Sequence, residues 1–252
     1  MSLSTVAFAS GLSSLLIVLI GLILGLYMLK RYLSSPDNNT LALAVILISV
    51  GSVWSAIAVN FIIALLAGSS TPQYLEQIPY LMLVGWIPGV VGLATAYILV
   101  SIVREKYLKL TLLIFGIFFV LNTVIIYILI PLNVPGFKVD DALTFSTPAD
   151  GLPNASTAGY FLILSVISIV IMLATALLFI VTALKTTIPL VKTRAGLLGT
   201  GFLLISVFLT FDSIIATDNL IILLTVRIIV VIGLFILAMA ITLPKRIFKN
   251  LA

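Results

Sequence analysis

Apolar residues run through the chain in long blocks, and the polar positions fall almost entirely between them. Seven blocks stand out, over about 5–29, 40–67, 78–103, 108–131, 158–184, 195–217 and 220–243, each bounded by polar, proline or glycine residues. At 1.5 Å rise per residue, about 20 apolar residues cross the roughly 30 Å hydrocarbon core of a bilayer. Every block meets that length. The pattern predicts an all-α integral membrane protein, a single domain over 1–252 built as a seven-transmembrane-helix bundle. The first block has no basic segment ahead of it and exceeds the about 7–15 apolar residues of a signal peptide, so it reads as a span.

Composition strengthens the membrane reading. Charged residues make up 8% of the chain and hydrophobic ones 62%, whereas a soluble domain carries about 25% charged residues. With so few charges the surface of the bundle has to face lipid. The partner this implies is the lipid bilayer. The net charge of +5 does not point to nucleic acid, because no loop or tail is large enough to present a basic patch.

The placement of charge gives an orientation. Lys30 and Arg31 follow the first span, Arg104, Lys106 and Lys109 lie between the third and fourth, Lys185, Lys192 and Arg194 between the fifth and sixth, and Lys245, Arg246 and Lys249 after the seventh. Of 13 basic residues only Lys138 and Arg227 lie elsewhere, while Glu76, Asp140, Asp141, Asp150 and Asp218 occupy the opposite loops. Lys/Arg bias near span ends marks the cytoplasmic side. The expected arrangement is a multi-pass protein of the cell membrane with its N-terminus outside and C-terminus cytoplasmic. The long connection 132–157 then lies outside, as a lid or a cap of the bundle, and its "NAS" at Asn154 is a glycosylation sequon on that face.

Ionisable residues inside spans are expensive and default to functional candidates. There are two, Asp212 and Arg227, the latter within "LLTVRIIVV". A tight "ATDN" turn joins their spans, which makes the spans antiparallel neighbours. By helical rise Asp212 lies about 8 Å and the Arg227 backbone about 10 Å below the outer surface. Side chains lean toward the helix N-terminus, which carries Arg227 outward toward Asp212. An intramembrane ion pair is thus expected, with three readings open: a staple between two helices, an arginine snorkelling to headgroups, or part of a ligand pocket.

Further polar and aromatic residues share the outer half: Asn60, Tyr80, Trp86, Asn122, Tyr127 and Tyr160. Asn60, Asn122, Trp86 and Tyr127 join the ion pair as candidate pocket residues; the aromatic ones equally suit an outer interfacial belt. Small residues in "GLILG" (Gly21, Gly25) and "GWIPGVVG" (Gly85, Gly89, Gly92) predict close helix approach, and Pro88 predicts a kink.

Several chemistries are excluded by residue type. Cysteine and histidine are absent, which removes disulfides, zinc-type metal sites, histidine-ligated haem and Ser/His catalysis. Only Asp212 offers a carboxylate within a span, no phosphate-cradling loop occurs, and no lysine in span 7 precedes Lys245 to carry a retinal. No enzyme activity and no cofactor are expected.

The stretch "LYMLKRYLSSPDNNTLALAVILISVGSVWSAIAVNFI", followed by "QIPYLMLVGWIPGVVGLATAYILV", has a basic end to span 1, a short loop with Pro36, Trp54 in span 2, and Gly85 and Pro88 in span 3. Over roughly 15–105 it resembles the seven-helix sensor modules of prokaryotic membrane histidine kinases. The resemblance implies an attached output domain. The chain ends at Ala252, nine residues after span 7, so a separate partner, another membrane or cytoplasmic protein, is expected to carry the signal. The leading expectation is a receptor-like sensor, the alternatives an accessory or scaffold subunit of a membrane complex, or a small-solute transporter.

Overall fold

A computed structural model describes residues 4–67, 87, 89–101, 105–125, 128, 132, 143–146, 154–157, 159–214 and 219–242. Eight α-helices are described: α1 (Thr5–Ser34), α2 (Asn38–Ser52), α3 (Ser55–Ala67), α4 (Gly89–Ser101), α5 (Leu108–Val124), α6 (Gly159–Lys185), α7 (Pro189–Ile214) and α8 (Leu220–Thr242). Their ends follow from local chemistry. Ser4 caps α1 by accepting the Ala7 N–H at 3.1 Å. Pro36 disfavours helical backbone at Ser35, and α1 stops there. Asp37 restarts the helix by accepting from the Thr40 N–H at 3.1 Å and the Thr40 hydroxyl at 2.8 Å. Pro189 opens α7, where a missing N–H costs nothing. Asn219 caps α8 through the Ile221 N–H at 3.0 Å.

Two features depart from the sequence expectation. The single helix expected over 40–67 is broken: α2 and the stretch Ile57–Leu66 meet at 48°. The cause lies in Ser52–Ser55. The Ser52 hydroxyl donates to the Ile48 carbonyl at 2.7 Å and the Ser55 hydroxyl to the Ser52 carbonyl at 2.6 Å, while the Val53 N–H bonds only three residues back, to Val50 at 3.2 Å. Side-chain bonds of this kind compete with the helical ladder. The connection 132–157 is not wholly irregular either: Leu143–Ser146 (β1) pairs antiparallel with Asn154–Thr157 (β2), Phe145 opposite Ala155.

Glycine sets the helix seams. α1 and α2 run antiparallel so close that a Cβ on Gly21 would stand 2.7 Å from the Gly51 Cα. α7 and α8 repeat this arrangement, where a Cβ on Gly233 would stand 3.4 Å from the Gly201 carbonyl oxygen. Among the described residues, a Cβ added at Gly89 of the "GWIPGVVG" motif meets nothing within 4 Å. Between the seams lies a core in which Ile17, Leu43, Leu47, Trp54, Phe202, Ile205, Leu234 and Leu237 are buried. Ser101 at the end of α4 donates to Asn39 at the start of α2 at 3.0 Å, which fixes those two ends side by side.

The outward faces are as apolar as the core. Leu19, Leu26, Val170, Leu177, Ile228 and Phe235 are exposed along α1, α6 and α8. Among the described residues four helices are long and apolar enough to cross a membrane, and α2 with α3 makes a fifth if the bent pair is one span. Continuous apolar exposure on this scale is stable only against lipid. The chain is a helical, membrane-embedded, multi-pass protein.

Candidate functional site

Asp212 stands near the end of α7 and Arg227 in the second turn of α8, and the Arg227 Nε lies 3.5 Å from the Asp212 Oδ1. The antiparallel seam that brings Gly201 against Gly233 brings these two to a common level. Two further elements converge on them. From the α2–α3 break, the Trp54 Nε1–H donates to the Asp212 Oδ2 at 2.7 Å. From α1, the Arg227 Nη1 donates to the Ser10 carbonyl at 2.5 Å, the Ser13 Oγ at 2.7 Å and the Ser14 Oγ at 2.9 Å. The Ser13 hydroxyl gives its own proton to the Ala9 carbonyl at 2.7 Å, so its lone pairs face the guanidinium.

The cluster thus ties the first three turns of α1, the end of α2, the end of α7 and the second turn of α8. Lys30, Arg31, Lys185, Lys192 and Arg194 sit at the other ends of α1, α6 and α7. Along α1, the 18 residues from Ser13 to Arg31 correspond to about 27 Å. The Asp212–Arg227 pair therefore lies at the pole remote from these basic residues.

Burial is uneven across the pair. The Arg227 side chain is 4% exposed and the Asp212 side chain 17%. Arg227 does not snorkel: its charge is turned inward onto α1 oxygens. Taking a guanidinium out of water costs several kcal/mol unless it is paired and hydrogen-bonded, and here a carboxylate and three neutral oxygens surround it. What the arrangement offers is a carboxylate whose two oxygens hold two different elements, α8 through Arg227 and the helix break through Trp54.

Asn60 is buried on α3, six residues beyond Trp54. Trp86 and Tyr127 lie outside the described residues, as do Tyr80, Gly85 and Pro88. The backbone of Asn122 belongs to α5, and its side chain, like that of Tyr160, lies outside the described set. Trp54, Ser10, Ser13 and Ser14 are partners that sequence reasoning passed over as site residues. The available signal was the spacing Ser10, Ser13, Ser14, which puts three hydroxyls on one face of an otherwise apolar helix.

Comparison with known proteins finds no family model, no curated protein and no solved structure that matches the chain.

Proposed function

We propose that the chain is a seven-helix, receptor-like sensor of the cell membrane, its N-terminus outside and its C-terminus cytoplasmic, passing its signal to a separate protein partner. The charge asymmetry along the sequence supports that orientation, and the likeness of 15–105 to histidine-kinase sensor modules supports the class. The observation that carries the reading is the double engagement of Asp212, with Arg227 on one oxygen and Trp54 on the other. A stimulus that removes this carboxylate releases the end of α7 from α8 and from the α2–α3 break together. Packed helices move between discrete arrangements and do not deform continuously, so a local release at the outer pole becomes a shift of helix ends at the basic pole. The stimulus acts through its differential affinity for the two arrangements.

The chain has no cysteine, so spin labels go only where they are introduced. Labels on Ser34→Cys and Thr187→Cys, both exposed beside the basic pole, report the distance between the α1 end and the α6–α7 turn in liposomes. Trp54→Phe and Asp212→Asn are expected to shift that distance by about 2 Å, the size of ordinary helix shifts. A distance unchanged in both variants would leave the cluster a rigid staple and reject the sensor mechanism.

A further inference from the structure

Asp212 and the two groups bound to it form a carboxylate site that the chain fills with its own side chain. The Trp54 Nε1–H donates to one oxygen of the carboxylate at 2.7 Å, and the Arg227 guanidinium, from a separate element, pairs with the other, its Nε 3.5 Å away. A planar, two-oxygen acceptor is what such a pair of donors recognises. The donors are fixed. Trp54 is 1% exposed at the helix break, and Arg227 is anchored by Ser10, Ser13 and Ser14 of α1. The acceptor is the less enclosed member, its side chain 17% exposed against 4% for Arg227. Its ion pair is also loose, since 3.5 Å exceeds the about 2.7–2.9 Å of a charge-assisted hydrogen bond.

We propose that a carboxylate ligand entering from the Asp212 side displaces Asp212 from Arg227 and Trp54, and that Asp212 then turns away from the cluster. This deepens the sensor reading and rests on it for the consequence of binding. The choice of ligand charge follows from the unequal burial. An organic cation taking Asp212 would strand a buried guanidinium, and stranding one member of a buried pair is strongly destabilising. A carboxylate leaves Arg227 paired and displaces only the more exposed of the two charges. A phosphate dianion would bring a second negative charge for which the cluster has no second cation among the described residues. Chloride, a single spherical acceptor, does not span two divergent donors. The exchange is therefore one monoanionic carboxylate for another, with no covalent step. The ligand carboxylate comes either from a small water-soluble acid or from the head of a fatty acid in the outer leaflet.

The test is chemical rescue on the full chain. Asp212→Ala in detergent is titrated with acetate, decanoate, chloride and ethylammonium at constant ionic strength and pH. A carboxylate is expected to raise its melting temperature by about 4 °C or more, a shift of ordinary size for added binding energy. Chloride and ethylammonium are expected to do nothing, and Asp212→Ala combined with Arg227→Gln to lose the response. Rescue by acetate alone assigns a soluble acid, and rescue by decanoate at far lower concentration assigns a fatty acid. Equal responses to carboxylate and chloride, or a response that survives loss of Arg227, overturn the proposal. If Asp212→Ala does not fold, the readout moves to Trp86→Phe in an otherwise native chain, where Trp54 is the sole tryptophan. Saturable change of its emission by acetate or decanoate supports displacement, and no change at 200 mM acetate and at saturating decanoate rejects it. The spin-label distances decide the sensor mechanism separately, so binding without helix movement sinks that mechanism while leaving the carboxylate site standing.

Discussion

Trp54 meets Asp212 across 158 positions of sequence, and no periodicity could have announced it. The two charges of the cluster were legible because a charge inside an apolar span is rare and needs a partner at reachable depth. The serines were not. A helical hydroxyl can satisfy itself on the carbonyl four residues back, as Ser13 does on Ala9, so its sequence position leaves its second partner open. An indole, likewise, sits as readily in an interfacial belt as in a core. Removing these groups separates their roles. Trp54→Phe keeps much of the ring volume and deletes one hydrogen bond to a charged acceptor, so it is expected to lower unfolding stability by about 1.5–3 kcal/mol. Ser13→Ala removes a neutral acceptor from a guanidinium that keeps two other α1 oxygens, and about 1 kcal/mol is expected. Detergent-induced unfolding followed by circular dichroism measures both; a Trp54→Phe cost no larger than that of Ser13→Ala would contradict the place given to Trp54.

Helices were readable from apolar length alone, but their breaks and seams were not. The block 40–67 is uniformly apolar, and the sharp change at Ser52–Ser55 depends on two serine back-bonds and on a tryptophan drawn toward a distant carboxylate. Hydropathy averages over that stretch and cannot register it. Glycine motifs were a partial guide: Gly21 lies in a tight seam against Gly51, whereas Gly89 meets none of the described residues. Two substitutions exploit the contrast. Gly51→Ala places a methyl 2.8 Å from the Gly21 Cα, where backbone cannot yield locally, and about 1–3 kcal/mol of overpacking cost is expected. Gly89→Ala meets no atom within 4 Å and gains helix propensity, so it should be neutral or stabilising by up to about 1 kcal/mol. Comparable destabilisation in the two variants would mean that the α1–α2 approach is not the tight seam described.

Across the whole molecule, the basic residues gather at one set of helix ends and the buried ion pair lies toward the other. In the proposed topology the first set is cytoplasmic. Single cysteines at Ser34 or Thr187 are then expected to resist a membrane-impermeant maleimide in intact cells, while one at Asn154 reacts; the reverse pattern would invert the orientation. At the end remote from the basic residues, one carboxylate and one guanidinium join α1, the α2–α3 break, α7 and α8. The most direct measurement of that joining is a double-mutant cycle with Asp212→Leu, Arg227→Leu and both together, followed by unfolding of the full chain. Asp212→Leu alone leaves the buried guanidinium without its counter-charge and is expected to cost about 3–5 kcal/mol, more than the double variant. The coupling between the two sites is expected to be about 1.5–3 kcal/mol. Effects that simply add, to within about 0.5 kcal/mol, would contradict the joint role assigned to the pair.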